Sequence, residues 1–239
     1  MALKEIDAPQ YGDDYVAKMF DRMGPTYDLV NRVSSFGFCE LWRYQCVRHA
    51  QIQPGAVVCD LMAGSGECWP YLRYRKVSKI IAVDFSPVMV RRQQLRSKRV
   101  DLLIDIRKEN ATKMSLPSHS VDCVVGAFGL KTLSDESLSA FAQEIRRVLK
   151  TGGRFSLFEI SNADRWFFGA LYRWYVASFI PQIGRIFLGD IECYRMLGVY
   201  TQSFGSCERV SPIFERAGLK VEVHHHFFGC ATALVGINP

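Results

Sequence analysis

Val57-Val58-Cys59-Asp60-Leu61-Met62-Ala63-Gly64-Ser65-Gly66-Glu67 reads as an apolar strand, a glycine turn and the first residues of a helix. A second apolar run, Ile80 to Asp84, ends in a carboxylate. Gly64 and Gly66 carry no Cβ, so the backbone there can turn tightly and approach a ligand. Asp84 follows the turn at about the distance at which an acid accepts hydrogen bonds from ribose hydroxyls. Strand, glycine turn, helix, strand and acid together suit a cofactor that carries adenosine.

The turn separates two such cofactors. A nicotinamide or flavin fingerprint needs a third small residue so that helix and strand can pack closely. Trp69 stands in that place, and no basic residue lies in the turn. Glu67 at the helix start would repel a phosphate but suits a cation. S-adenosylmethionine carries a sulfonium and an amino group and no phosphate, and is the favoured cofactor. An NAD oxidoreductase is the weaker alternative. A βα turn that merely needs glycine is the simplest one.

Outward from the turn, β-forming runs recur at Leu102–Ile106, Val121–Ala127 and Phe155–Ile160. Helical patterns separate them at Cys68–Arg75, Pro87–Ser97 and Glu136–Lys150. This alternation predicts right-handed βαβ units and a parallel sheet, hence an α/β fold. Ser86 is a candidate N-cap ahead of Pro87. Thr151-Gly152-Gly153 marks the stop of the long helix. Residues 13–51 read as N-terminal helices, with Ala17, Phe20, Met23, Tyr27 and Val30 as an apolar stripe broken by Gly24-Pro25. Residues 162–206 are rich in aromatics and long apolar side chains, and predict a helical lid of two segments separated near Pro181. A last helix at Val210–Ala217 and strands at Leu219–His225 and Ala231–Ile237 complete one domain spanning 1–239.

Composition sets limits. The chain has 239 residues, 49% of them hydrophobic and 23% charged, an ordinary globular balance. A run of about 18 uncharged apolar residues is lacking, so a spanning helix is not expected. Residues 1–13 are polar and mixed in charge, which does not suit a secretory signal. The eight cysteines include no C-x-x-C pair, which favours buried thiols in a reducing, cytoplasmic setting over disulfides or zinc. The net charge of +6 suits a solvated surface or peripheral contact with an anionic membrane. A nucleic-acid motif is not present, so no nucleic-acid partner is expected. His224-His225-His226 places only His224 and His226 on one face of a strand. A structural or substrate-lining role is expected there, and no metal.

Further motifs carry a family resemblance over roughly Phe20 to the C-terminus. Tyr27-Asp28-Leu29-Val30-Asn31 is similar to a Y-D-x-x-N start, and Leu41-Trp42-Arg43 to the helix after it. Phe128-Gly129-Leu130 with Ser134-Asp135 resembles an F-G-L…D segment, and Arg147 to Arg154 resembles R-V-L-K-P-G-G-R. Glu159-Ile160-Ser161 is similar to E-F-S. Pro181-Gln182-Ile183-Gly184, Asp190 and Tyr194-Arg195 resemble P-x-I-G…D…S-Y-R. The chain thus resembles class I S-adenosylmethionine methyltransferases, and within them the UbiE family of ubiquinone and menaquinone C-methyltransferases. The resemblance implies a Rossmann-like, mostly parallel sheet with an antiparallel C-terminal strand. It also implies Asn110 and Ala111 near the adenine, and Ala127 and Phe128 near the methionine and methyl. Gly64, Ser65 and Gly66 are expected at the methionine end and Asp84 at the ribose. Arg43 is placed either near the cofactor carboxylate or on the surface.

Two departures stand out. The family's G-G-T-G-D turn is here Ala63-Gly64-Ser65-Gly66-Glu67. Its F-G-L-R-N is here Phe128-Gly129-Leu130-Lys131-Thr132, which keeps a charge but loses the planar fork of arginine. Methylating carbon requires an electron-rich ring, supplied by a quinol once its hydroxyl proton leaves. Lys131, Tyr27 and Tyr194 are the catalytic candidates for assisting that loss, with a desolvated Lys131 acting as base. The expected substrate is a lipophilic aromatic small molecule. Oxygen or nitrogen methylation, a non-methyl transfer, and a non-catalytic methyltransferase-fold subunit are the alternatives. An oligomer is compatible with the sequence.

Overall fold

The computed structural model describes residues 11–23, 27–186 and 191–239. Seven strands form one sheet: β1 (Val57–Leu61), β2 (Lys79–Asp84), β3 (Leu103–Lys108), β4 (Val121–Ala127), β5 (Leu149–Ile160), β6 (Lys220–His226) and β7 (Ala231–Ile237). Their order is β3-β2-β1-β4-β5-β7-β6. The first five are mutually parallel, and β7 runs antiparallel to both of its neighbours. This is the mostly parallel sheet with a reversed C-terminal strand that the motifs imply. Ten helices accompany it among the described residues: α1 (Asp13–Met23), α2 (Tyr27–Ser34), α3 (Phe38–His49), α4 (Trp69–Tyr74), α5 (Pro87–Ser97), α6 (Asp135–Val148), α7 (Gly169–Trp174), α8 (Ile180–Ile186), α9 (Ile191–Phe204) and α10 (Cys207–Arg216).

The central strands are apolar on both faces because helices cover both. Val58, Ile80, Ala82 and Val125 point to a core closed by Trp42, Cys46 and Val47 of α3 and Leu72 of α4. Cys59, Leu61, Ile81 and Val83 point to the other, where Phe141 of α6 and Phe214 of α10 pack. The period-two alternation of strand side chains assigns each residue to one layer. All eight cysteines are buried as thiols outside any disulfide.

Strand order reverses between β1 and β4: the chain runs outward through β2 and β3, then returns to the opposite side of β1. Open α/β sheets place ligand crevices beyond the carboxyl ends of the strands at such a point.

The structure departs from the sequence expectations in three places. On α1 the buried residues are Val16, Met19 and Met23, whereas Ala17 and Phe20 are half-buried. Both stripes have helical spacing, and packing against Tyr194, Tyr200 and Ile183 selects the former. Gly24-Pro25 lies outside the described residues. The second departure concerns Pro181, which does not separate two lid segments. A π-helical stretch, Tyr175–Phe179, links α7 to α8, and Pro181 sits in the first turn of α8. Proline has no N–H to donate and is tolerated at a helix start. The third is that β5 begins at Leu149, directly after α6, so Thr151-Gly152-Gly153 lies within a strand irregularity opposite Val121 and Cys123.

Candidate active site

The glycine turn is held from two sides. The Gly64 N–H donates to Asp84 Oδ2 at 2.8 Å, and Gln93 Nε2 of α5 donates to the Gly64 carbonyl at 2.7 Å. α5 is itself fixed by Ser86, whose Oγ accepts from the Met89 N–H at 3.1 Å as an N-cap. The turn therefore opens a cleft beyond β1, β2 and β4, walled by Asp60, Gly64, Asp84, Ala111, Ala127 and Phe128, with Asn110 and Arg43 beside them.

Most of the cofactor-binding candidates come together there: Gly64, Asp84, Asn110, Ala111, Ala127 and Phe128 all face the cleft. Ser65 and Gly66 do not. Ser65 Oγ donates to Glu67 Oε1 at 2.7 Å. Gly66 has φ 88°, and a Cβ on it would lie 2.6 Å from the Trp69 indole, which is fully buried. Gly66 is thus demanded by packing beneath the turn. Trp69 fills the volume that a close helix–strand contact would occupy in a pyrophosphate cradle.

Three carboxylates surround this end of the cleft. Asp60 sits inside β1, 1% exposed, and neither of its oxygens has a hydrogen-bond partner among the described residues. The Trp69 indole N–H is near enough to help, but its geometry falls short of a hydrogen bond. Burial, with Glu67 and Asp84 nearby, raises the Asp60 carboxyl well above the usual carboxylate range. Burial likewise pushes Asp84 up to about 7, against the pull of the Ser86 and Gly64 N–H groups. A buried carboxyl without a hydrogen-bond partner, Asp60, with two further carboxyls beside it, calls for a cation. The sulfonium and amino groups of S-adenosylmethionine meet that need, and an anionic pyrophosphate does not. Sequence reasoning passed over Asp60, although an acid inside the run Val57-Val58-Cys59-Asp60-Leu61 was the available signal.

Arg43 is buried rather than on the surface. Its Nη1 donates to Glu40 Oε1 at 2.9 Å, and its guanidinium lies 5.4 Å from the Phe128 ring centre. Phe128 has φ 68°, and its N–H donates to the Phe158 carbonyl at 2.8 Å. That backbone turns the ring into the wall between the cleft and a second, larger cavity.

The second cavity has a volume of about 470 Å³ and is lined almost wholly by apolar groups, among them Phe38, Trp42, Trp166, Tyr172 and Leu197. Lys131 and Tyr194 also line it. Lys131 is not an exposed loop residue: its side chain is 4% exposed, and Nζ donates to Glu159 Oε1 at 2.6 Å. Glu159, fully buried at the end of β5, also accepts from the N–H groups of Lys131 at 3.2 Å and Ile160 at 2.8 Å. Lys131 thus reaches the cavity wall with Glu159 as its partner. Tyr194 is fully buried between this cavity and the α1 core. Tyr27 opens α2, but its side chain lies outside those described.

The histidines form a separate group. His49 of α3 joins the face carrying His224 and His226, with His49 Nε2 3.1 Å from His226 Nε2 and the His49 and His224 rings 4.7 Å apart. Burial and the neighbouring histidines lower His226 to about 4. None of the three lines either cavity. Among the described residues, no group of three or more His, Cys, Asp or Glu could hold a metal ion.

The sequence matches the profile of the ubiE/COQ5 methyltransferase family over residues 9–238. The chain belongs to that family. It is therefore a methyltransferase, and its cofactor is S-adenosylmethionine. It is similar to a demethylmenaquinone methyltransferase of Lactiplantibacillus plantarum, 30% identical over 227 residues, covering 92% of this chain and 94% of that protein. It is also similar to the ubiquinone/menaquinone biosynthesis C-methyltransferase UbiE of Hahella chejuensis, 29% identical over 216 residues, with 87% and 84% covered. The fold is shared with a SAM-dependent methyltransferase from Aquifex aeolicus at a TM-score of 0.62 and 20% identity, covering 89% of this chain and 98% of that one. In this methyltransferase Asp60, Asp84 and the Gly64 backbone are the groups suited to hold the cofactor, and Phe128 stands between it and the apolar cavity.

Proposed function

We infer that the methyltransferase transfers a methyl group to a ring carbon of a quinol bearing an apolar tail. The observation that carries this reading is the apolar cavity, which meets the cofactor cleft at Phe128 and holds one buried charge pair, Lys131–Glu159, at that junction. Its volume of about 470 Å³ suits a small-molecule ligand. Most of that volume has no polar group to satisfy a hydrophilic acceptor. The curated relatives are named for demethylmenaquinone and for ubiquinone/menaquinone biosynthesis, which supports the same acceptor class here.

The chain's own residues then have defined tasks. The cofactor supplies a methyl group already activated on a sulfonium. Asp60 and Glu67 provide negative charge around the cationic end, and Asp84 accepts from the ribose. Phe128 and Trp42 flank the acceptor ring and set its face toward the methyl. Lys131 Nζ lies where a ring oxygen can receive its charge as the hydroxyl proton leaves, and the ring carbon gains the electron density that forms the new C–C bond. The hydroxyl proton leaves to solvent, and the ring proton displaced from that carbon by the methyl returns to the ring oxygen by way of solvent, with Tyr194 and Tyr27 as the candidates for relaying both. Alignment of two reactants in adjoining chambers can contribute about 7–11 kcal/mol of the barrier reduction.

The test is mass spectrometry of purified protein incubated with methyl-labelled S-adenosylmethionine and a reduced, demethylated quinone. Label on a ring carbon is the expected outcome. Label on the ring oxygen would make the protein an O-methyltransferase of the same acceptor, and no label on the ring would remove the quinol from consideration.

A further inference from the structure

Apolar surface lies uncovered where the second cavity opens. Phe36 at the α2–α3 turn is 80% exposed, Phe167 ahead of α7 91%, Ile186 at the end of α8 74%, and Phe228 between β6 and β7 66%. Phe168, Leu171, Trp174 and Phe227 are exposed and also line the cavity, so its mouth lies within this surface. The rings form a continuous group: Trp166 stacks on Phe228 at 5.5 Å and meets Phe227 at 5.8 Å, and Phe167 meets Phe168 at 5.0 Å. An exposed apolar patch of this kind marks an interaction surface.

Backbone geometry adds to this. Phe36, Phe227 and Phe228 have φ of 51°, 44° and 56°. That left-handed region is a rare, strained setting for a bulky residue, and glycine or asparagine would occupy it more easily. The three projecting rings are thus held out against local backbone preference.

Charge identifies the partner. Along the rim, residues 29–38, 165–186 and 223–230 are flanked by Asp164 and Glu222 and met by Glu208. They contain Arg32, Arg165, Arg173 and Arg185. Arg165 pairs with Glu208, and Arg173 with Asp164. Arg32 and Arg185 are exposed and form no ion pair among the described residues. On α2, Leu29, Arg32 and Val33 follow one another at helical spacing along one exposed stripe, and Phe36 projects from the turn after it. Exposed aromatic side chains beside two arginines outside these ion pairs complement an anionic lipid surface. Among the described residues no helix is long and apolar enough to cross a membrane.

We propose that this rim docks on an anionic lipid bilayer, with Phe167 and Phe228 in the acyl boundary and Arg32 and Arg185 among the headgroups. The cavity mouth then faces the membrane, and a tailed acceptor enters it without crossing water. The proposal rests on the reading of that cavity as the site of a lipophilic acceptor.

Vesicle flotation tests it without any acceptor. Wild-type protein is expected to float with phosphatidylcholine vesicles containing phosphatidylglycerol, more weakly with phosphatidylcholine alone, and less at raised salt. The double variant Phe167→Ser/Phe228→Asn, whose positions line neither cavity, should reduce binding at least tenfold, since each ring loses about half of a full side-chain burial. Arg32→Glu/Arg185→Glu should abolish the preference for phosphatidylglycerol. Both variants should methylate a short-tailed, water-soluble quinol as fast as wild type, which also certifies their folding. Wild-type protein that stays with neither vesicle, or variants that float as well as wild type, would overturn the proposal. If soluble acceptors go unmethylated while flotation behaves as expected, the acceptor assignment fails and the docking surface stands.

Discussion

Lys131→Met would leave Glu159 as an interior carboxylate without its cationic partner. The Nζ–Oε1 distance is 2.6 Å, and the two side chains are 4% and 0% exposed. Breaking a buried pair from one side costs about 3–5 kcal/mol. Glu159 would keep the Ile160 and Lys131 N–H groups, which places the expected loss near the lower limit, about 3 kcal/mol. A chain of this size loses about 2–4 °C of melting temperature per kcal/mol, so Tm should fall by roughly 10 °C. Adding Glu159→Gln removes the stranded charge while retaining an oxygen for the N–H groups, and should restore about 2 kcal/mol. Turnover should not return with it. If the lysine charge stabilises a developing ring oxyanion, both the single and the double variant should lose about 100-fold or more in kcat. Urea unfolding and label transfer from methyl-labelled cofactor measure the two effects separately. Recovery of turnover together with stability in the double variant would refute the argument, because Lys131 would then serve only to neutralise Glu159.

Asp60→Asn should leave the stability of the cofactor-free protein nearly unchanged at neutral pH, because burial already favours the uncharged carboxyl that the amide replaces. The same change should weaken S-adenosylmethionine binding at least tenfold by calorimetry, and unchanged affinity would exclude Asp60 from the site. Asp84 predicts a pH dependence. Its carboxyl holds a proton more tightly in the folded protein, at about 7 against an ordinary 3.8, so its contribution to stability declines as pH rises from about 4 to about 7 and is fully lost above that. Cofactor affinity should move the opposite way, rising from about pH 6 to about pH 8 as the ionised carboxylate becomes available to ribose hydroxyls. Asp84→Asn should flatten its part of both trends, and a wild-type affinity that does not change with pH would count against that role. Gly66→Ala places a Cβ 2.6 Å from the Trp69 ring at φ 88°, and should cost about 2 kcal/mol or more in urea unfolding. A cost no larger than an ordinary surface change, about 0.5 kcal/mol, would mean that Trp69 is not what fixes the glycine.

The sheet was legible because its central strands are short apolar runs separated by helical patterns, and right-handed crossovers leave few ways to order them. The cofactor end was legible for a related reason: Gly64 and Asp84 bear on the ligand through backbone and strand-end geometry, which sequence spacing preserves. Contacts between distant segments were not. Nothing in the order of residues pairs Lys131 with Glu159, brings His49 to His226, or tucks Arg43 under Phe128, since each pair is joined only when β4, β5, α3 and β6 are laid side by side. The α1 stripe was misplaced by one residue because two faces of that helix are almost equally apolar, and only the lid decides between them. The packing demand on Gly66 was not legible either, because a glycine required by a buried indole and one required by a ligand look alike in sequence.

The residues walling the cofactor cleft all precede residue 134, whereas those of the apolar cavity come from residues 31–42, 160–201 and 227–230 with Lys131, and Phe128 is common to both. The two chambers are therefore nearly separate stretches of chain, and the lid can be rewritten to admit another acceptor while the cofactor half is left alone. New specificity on this scaffold has a narrow seam to respect. A transplanted lid must agree with the Phe128 ring, with the Lys131 charge, and with the carboxylate at the end of β5 that balances it.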